Sequence, residues 1–161
     1  MKNVFFVYDK SCFYEIVILN YFMRFSQCDM VFCSLDGKPV RAMKGFSVNV
    51  DMPLEALDKE QIRSFILPGG DISEIDTPEV KAYLRALMKR EILIAGICAG
   101  VDVLDHAGIL CDVKSTHSSD ADLVTDKNVI IVIRGSRQFY IACRIFPTVI
   151  SSKTAIFNAK S

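Results

Sequence analysis

The stretch 92-ILIAGICAGVDVL-104 places a cysteine between two glycines, where a strand-like segment meets a helix-like segment. An apolar run leads into Gly96, and apolar residues at helical spacing resume after Gly100. The segment matches the pattern Gly-x-nucleophile-x-Gly of a nucleophile elbow, with Cys98 as the nucleophile. The stretch therefore predicts a strand–turn–helix unit that carries a reactive thiol.

The elbow pattern has a physical reason. The nucleophile sits in a tight, strained turn, and glycine removes the side chains that would collide with it. The N–H groups at the start of the following helix then favour a thiolate, so the pKa of Cys98 is expected below the free value of ~8.5. On this pattern alone, a buried cysteine whose glycines only allow close packing is an equal alternative.

Strand-like and helix-like patterns alternate along the chain. Alternating strands and helices build a parallel sheet with helices on both faces, so we predict an α/β fold. We expect one domain over residues 1–161, weakly structured from about residue 151. Thr77 is expected to cap a helix and Gly108 to end one. The predicted strands are 3–8, 30–35, 64–68, 92–97 and 129–133, and the predicted helices are 15–25, 78–90, 99–107 and 138–146.

The composition argues against several classes of partner. The chain carries 19 basic and 19 acidic side chains, and this balance argues against nucleic acid or an anionic membrane as the main partner. The longest aliphatic run, 129-VIIVI-133, is too short to span a bilayer. The first residues lack the apolar region and cleavage site of a signal peptide. We therefore expect a cytoplasmic protein that uses no membrane.

The cysteines are expected to be reduced. There are six, at irregular spacing and without a secretion signal, which argues against a disulfide framework. Cys28, Cys33, Cys111 and Cys143 are expected to be buried in apolar surroundings, because a thiol without a special environment behaves as a small apolar side chain.

A nucleophile needs acid–base partners. Of the two histidines, His106 lies eight residues after Cys98 on the same predicted helix, about two turns away, and is expected to be a surface or capping residue. His117 lies in the polar loop 115-STHSS-119 and is the better candidate for a base or proton shuttle, with a solvated loop histidine as the alternative. Glu15 begins the first predicted helix at the same edge of the sheet, where its alternative role is to interact with the helix dipole.

Several motifs along the chain occur together in one known family. They are Glu15 on the first helix, 66-ILPGG-70, 94-IAGICAG-100, 104-LDHAGIL-110, 116-TH-117 and 128-NVIIVIRG-135. With these motifs the chain resembles the ThiJ/PfpI superfamily, and within it the branch of the Parkinson-disease protein, over nearly its whole length, to about residue 145. The resemblance implies a flavodoxin-like, three-layer α/β/α sandwich with a mostly parallel sheet, usually a homodimer, that uses no cofactor and no metal.

The resemblance assigns roles to particular positions. Cys98 is similar to the family's reactive elbow cysteine, and Glu15 to the glutamic acid whose carboxyl hydrogen-bonds that sulfur. His117 resembles the histidine near the cysteine in this branch. The remaining role, an oxyanion-hole-like set of backbone N–H groups, falls on Gly69, Gly70 and Ala99.

The chain also departs from the family pattern. A histidine follows the cysteine in the protease-like branch, but Ala99 stands there and cannot act as a base, which argues against a peptidase. Asp102 would oppose a thiolate unless it points away. Lys44 stands where relatives often carry an arginine, and a solvated loop lysine is its favoured interpretation. Cys12 falls near Glu15 and is a candidate second thiol at the edge of the site. The segment after Gly135 matches the family poorly.

These residues are compatible with three functions. The first is a glutathione-independent glyoxalase, or a related deglycase, in which Cys98 attacks a small 2-oxoaldehyde. The second is a non-enzymatic sensor of oxidative stress, or a chaperone, that acts through the sulfinic acid of Cys98. The third is an amidase or hydrolase of a small metabolite. A phosphate-binding module is not supported, because Gly69-Gly70-Asp71 lacks the spacing and the lysine of a phosphate loop.

Overall fold

The first strand of the chain lies inside a seven-stranded sheet. The computed structural model describes residues 1–116, 123–132 and 148. The sheet has the order β5-β2-β1-β6-β7-β9-β8, and all neighbouring strands are parallel except β8 and β9. Its strands are β1 (Lys2–Phe6), β2 (Met30–Ser34), β5 (Met52–Pro53), β6 (Ile62–Leu67), β7 (Leu93–Ile97), β8 (Leu123–Asp126) and β9 (Val129–Val132), and a separate antiparallel pair is formed by β3 (Val40–Arg41) and β4 (Ser47–Val48).

Both faces of the sheet are buried, which is why its strands read as continuous apolar runs. Successive side chains of a strand point to opposite faces. Val4 and Phe6 accordingly join one core cluster, together with residues of the second and third helices. Phe5 and Val7 join the other, together with residues of the first helix. The α/β prediction with a mostly parallel sheet between helical layers is confirmed.

The helices begin and end close to the predicted residues. They are α1 (Phe13–Phe25), α2 (Pro78–Lys89) and α3 (Gly100–His106). The Thr77 side chain accepts a hydrogen bond from the N–H of Val80 at 3.3 Å, so the predicted cap is confirmed. Gly108 follows α3 with φ +73°, a left-handed conformation that glycine adopts easily, and it ends the helix as predicted. None of the described helices is long and apolar enough to cross a membrane.

One strand of the sheet was not predicted, and two predicted segments lie outside the described residues. Strand β8 was not predicted, because Leu123–Asp126 is an edge strand with partly exposed side chains and has no apolar run. The predicted helix at 138–146 and the tail from 151 lie outside the described residues.

The cysteines are less uniformly buried than predicted. Cys33 is buried and Cys28 is half-buried, but Cys111 is exposed, so the prediction was wrong for Cys111. Cys111 falls on the turns that follow α3 rather than on an element facing the core, which explains its exposure. Cys143 lies outside the described residues. None of the five cysteines in the described part of the chain is in a disulfide.

Two ion pairs connect the segment before α2 with α2 and α3. The Asp76 carboxylate lies 3.0 Å from Lys81 Nζ and 3.0 Å from His106 Nδ1. Partial burial raises the pKa of Asp76, but the interactions with Lys81 and His106 outweigh it and hold the pKa below its usual value. His106 is thus a partly exposed residue at the end of α3, as predicted.

The ion pairs of Asp76 predict an acid-sensitive contribution to stability. Because the pKa of Asp76 is lower in the folded state, the contribution is present above the unfolded value of ~3.9 and is lost as the pH falls through the folded value. From about pH 5 to about pH 2.5, wild type should lose more unfolding free energy than Asp76→Asn in urea titrations. Equal losses in the two proteins would show that the pairs contribute nothing.

Candidate functional site

The elbow at the end of β7 is strained, as the motif predicts. Cys98 has φ +51°, in the left-handed region that non-glycine residues rarely adopt. Its N–H donates to the carbonyl of Val132 at 2.9 Å, and its own carbonyl accepts from the N–H of Val101 at 3.0 Å. The end of β9 and the start of α3 therefore hold the strained residue in place.

Gly69 provides the space beside Cys98. A Cβ atom added at Gly69 would lie 2.8 Å from Cys98 Cβ and 3.1 Å from the backbone nitrogen of Ala99. Real Cβ atoms essentially never make contacts as short as the first, so a side chain here would displace the elbow. The glycine after β6 is thus a steric requirement of the elbow after β7.

The same glycine holds the candidate acid–base group. Glu15 is 0% exposed in the first turn of α1, and its Oε2 accepts a hydrogen bond from the N–H of Gly69 at 2.8 Å. That oxygen also lies 3.2 Å from the position where a Cβ of Gly69 would stand. The Glu15 carboxyl and the Cys98 side chain therefore border the same point. The Gly69 N–H orients the carboxyl, and the oxyanion role of Gly69, Gly70 and Ala99 stays a prediction.

The short loop that follows β1 packs against the loop that carries Gly69 and Gly70. The N–H of Cys12 donates to the carbonyl of Gly69 at 2.7 Å, and Ser11 forms an antiparallel bridge with Gly70. Gly70 has φ +138°, and a Cβ there would collide with the carbonyl of Lys10 and with Ser11 Cα. The loop after β1 and the loop after β6 therefore pack backbone against backbone, which requires the second glycine of the pair.

Tyr8 is a site residue that sequence reasoning missed. Its side chain is 1% exposed, and its hydroxyl donates to the carbonyl of Pro68 at 2.9 Å. Burial is the largest of the effects that raise the pKa of Tyr8 above its ordinary range, and the nearby Glu15, Cys98 and Cys12 raise it further. The sequence did offer a signal for Tyr8, because it ends a predicted buried strand and a buried tyrosine hydroxyl needs a hydrogen-bond partner. Its phenol is neutral and forms one wall of the site.

The comparison with protein families agrees with this geometry. The family model described as the DJ-1/PfpI family matches residues 1–133. The chain belongs to the DJ-1/PfpI family. The DJ-1 superfamily protein Atu0886 of Agrobacterium tumefaciens superposes with a TM-score of 0.81 and 21% identity, over 99% of this chain and 98% of that one. The flavodoxin-like α/β fold predicted from the resemblance is therefore confirmed.

Two curated proteins of similar sequence are named for different functions. A glutathione-independent glyoxalase of Caenorhabditis elegans, DJR-1.2, is 25% identical over 126 residues, which are 73% of this chain and 68% of that protein. The transcriptional regulator CdhR of Pseudomonas aeruginosa is 37% identical over 83 residues, 52% of this chain. The matched segment spans only 24% of that regulator. The similarity to CdhR is therefore confined to about a quarter of that protein's length.

The remaining predicted site residues lie at different distances from the elbow. Lys44 has φ +80° and lines a surface depression of about 530 Å³ together with Lys10 and Asp71. Cys98 does not line that depression, which favours the interpretation of Lys44 as a loop lysine. Asp102 is half-buried in the first turn of α3, where a negative charge interacts favourably with the helix dipole. His117 lies outside the described residues, and its role stays a prediction.

The position of Gly69 predicts the effect of adding one methyl group. Gly69→Ala should displace the Cys98 elbow and the Glu15 carboxyl, at a cost of about 1–3 kcal/mol in unfolding free energy for an overpacked site. Labelling of Cys98 by iodoacetamide should slow at the same time. Both effects can be followed by urea denaturation and by mass spectrometry of the labelled peptide.

Gly108→Ala is the matched control. A Cβ at Gly108 meets nothing within 4 Å, although its φ of +73° makes alanine strained there by about 1–2 kcal/mol. This variant should lose stability without any change in Cys98 labelling. Unchanged labelling in Gly69→Ala as well would contradict the steric role of Gly69.

Proposed function

We propose that this DJ-1/PfpI protein converts small 2-oxoaldehydes, such as methylglyoxal, into 2-hydroxy acids without glutathione. The observation that carries the proposal is the placement of a strained elbow cysteine and a buried carboxyl against one glycine, Gly69. The name of the Caenorhabditis elegans relative supports the same chemistry. Deglycation of proteins is the related reaction on a larger substrate.

The reaction uses the thiol and the carboxyl in sequence. The sulfur of Cys98 bonds to the aldehyde carbon, and the aldehyde oxygen takes a proton, giving a hemithioacetal. Glu15 removes the proton from that carbon while the neighbouring ketone oxygen is protonated, which gives an enediol. Return of a proton to the former ketone carbon, with loss of the hydroxyl proton on the carbon bonded to sulfur, gives a thioester. Water then hydrolyses the thioester to the hydroxy acid and restores the thiol.

The surroundings of Glu15 suit a proton shuttle. The Gly69 N–H holds Oε2, so the carboxyl cannot rotate away from the point that it shares with Cys98. The carboxyl is wholly buried, and a group positioned in this way needs no further ordering during the reaction. His117, which resembles the histidine near the cysteine in this branch, is the proposed second proton carrier.

The neighbour of Cys98 argues for this chemistry over peptide hydrolysis. Ala99 has no base to activate the thiol or to protonate a leaving amine, which a cysteine peptidase needs. Addition of the thiol to an aldehyde, in contrast, releases no amine. The aldehyde oxygen needs only a proton from the site. A small-molecule amidase would also need such a base, so we place it behind the glyoxalase.

Turnover of methylglyoxal in glutathione-free buffer tests the proposal. Cys98→Ser and Glu15→Gln should each lower kcat/KM by about 10²-fold or more, because each removes a group that bonds or moves a proton in the transition state. Hydroxy acid can be quantified by chromatography. Cys111→Ser is the matched control, because Cys111 is an exposed thiol outside the site, and it should keep full activity. Turnover that survives Cys98→Ala would contradict the mechanism.

A second candidate function uses the same cysteine without turnover. Cys98 is half-buried, so peroxide can reach it, and the carboxyl that borders it suits a hydrogen bond to a sulfinic acid. An oxidative-stress sensor or chaperone would use that oxidised state. It predicts that mild peroxide adds two oxygens to Cys98 before it oxidises Cys111.

We further infer a homodimer. The outward face of α1 carries four large apolar residues, among them Tyr21 at 64% and Phe25 at 78% exposure. These side chains form a stripe at helical spacing, with Tyr14 and Val17 in the preceding turns. An uncharged stripe can face its own copy without like-charge repulsion. Light scattering should give a dimer for wild type and for Glu79→Lys, and a monomer for Tyr21→Glu.

The charge balance supports a small molecule, not nucleic acid, as the partner. The formal net charge is zero, and nucleic-acid-binding domains are usually basic. A cytoplasmic location is part of the same proposal, supported by the irregular spacing of the six cysteines, which is not that of a disulfide framework.

A further inference from the structure

A second thiol lies beside the elbow. Cys12 precedes α1, and its N–H donates to the carbonyl of Gly69 at 2.7 Å. The α-carbon of the same glycine faces Cys98, since a Cβ there would lie 2.8 Å from Cys98 Cβ. The Cys12 backbone and the Cys98 side chain therefore both lie next to Gly69, which has no side chain to separate them.

Tyr8 gives independent support for this proximity. Both cysteines and Glu15 act on the Tyr8 phenol electrostatically, and of these only Cys98 lies far from Tyr8 along the chain. Cys12 is only 9% exposed, so it is buried next to Gly69 and not open to solvent. Both cysteines thus lie near enough to the Tyr8 phenol to act on it, as the Glu15 carboxyl does.

The other described cysteines lie elsewhere. Cys33 belongs to the core cluster on the opposite face of the sheet from α1. Cys28 follows α1 at its far end, and Cys111 is exposed after α3. Within residues 1–116 and 123–132, Cys12 is therefore the thiol placed to react with an oxidised Cys98.

We propose that Cys12 and Cys98 form a reversible disulfide when the protein meets a hydroperoxide. The Cys98 thiolate attacks the peroxide oxygen, which gives a sulfenic acid and releases water or an alcohol. The Cys12 thiolate then attacks the sulfenic sulfur and displaces hydroxide, which leaves as water with the Cys12 proton. The two thiols supply the two electrons that reduce the peroxide.

The disulfide would change the behaviour of the site in two ways. It removes the nucleophile of the proposed glyoxalase reaction, so turnover stops until a dithiol reduces the bond. It also consumes the sulfenic acid before a second peroxide can drive it to sulfinic acid, which thiols cannot reduce. The inference rests on the reactivity of Cys98 that the proposed function also uses, but it does not require 2-oxoaldehyde turnover.

Peptide mapping after peroxide treatment tests the inference. Trypsin leaves Cys12 in residues 11–24, but it leaves Cys98 and Cys111 together in residues 91–114. The experiment therefore uses Cys111→Ser, in which the second peptide carries Cys98 alone. One equivalent of hydrogen peroxide, followed by digestion without reductant, should link the two peptides with the loss of two hydrogens, and dithiothreitol should separate them.

Cys12→Ser in the same background gives the decisive comparison. It should form no link, and Cys98 should proceed to sulfinic acid at a peroxide dose that leaves the parent recoverable by dithiothreitol. Sulfinic acid in both proteins, with no linked peptides in the parent, would overturn the inference. That result would not affect the proposed function, provided that methylglyoxal turnover still depends on Cys98. Conversely, a Cys12–Cys98 disulfide in a protein that does not turn over methylglyoxal would contradict only the glyoxalase proposal.

Discussion

The hydrogen bond from the Gly69 N–H to Glu15 Oε2 is the interaction on which the site depends. It connects the loop after β6 with α1, and the same glycine leaves room for the Cys98 elbow after β7. The first turn of α1, the loop after β6 and the elbow after β7 thus meet at Gly69, which has no side chain. The meeting point lies beyond the carboxyl ends of β1, β6 and β7, where open α/β sheets bind their ligands.

Much of this arrangement was predictable because it depends on backbone rules. Doubly buried strands read as apolar runs, and the elbow requires glycines around Cys98 whatever the rest of the chain does. The proximity of Glu15 followed from the rule that carboxyl ends of parallel strands share an edge. The motif does not predict which backbone group binds the Glu15 carboxyl, because that depends on how α1 packs against the loop after β6.

Other features required the structure because they arise from tertiary contacts. Tyr8 reads as one more apolar strand residue, and only its bond to the carbonyl of Pro68 marks it as a wall of the site. Lys44 was expected to be a loop lysine, and the structure places it between β3 and β4, in a surface depression that Cys98 does not line. Cys111 was expected in the core, and a turn leaves it exposed. Each of these features comes from loop geometry, for which hydrophobic periodicity carries no signal.

Two residues distinguish this chain from a generic elbow protein. Ala99 removes the base that a peptidase needs, and Cys12 adds a second cysteine next to Gly69. The first difference directs the proposed chemistry toward carbonyl substrates that need no leaving-group acid. The second suggests that the same nucleophile is protected by a reversible bond. Catalysis and protection would then depend on the same packing around Gly69.

The most direct test of this account is the order in which the cysteines react. Under limiting iodoacetamide at neutral pH, exposure alone predicts that Cys111 is alkylated first, because it lies at the surface and Cys98 is half-buried. The strained elbow at the start of α3, whose N–H groups favour a thiolate, predicts the reverse order, with Cys98 modified first. A digest with Asp-specific cleavage separates the two sites, since Asp102 and Asp105 lie between them. Alkylation of Cys111 ahead of Cys98 would contradict the claim that this fold activates its elbow cysteine.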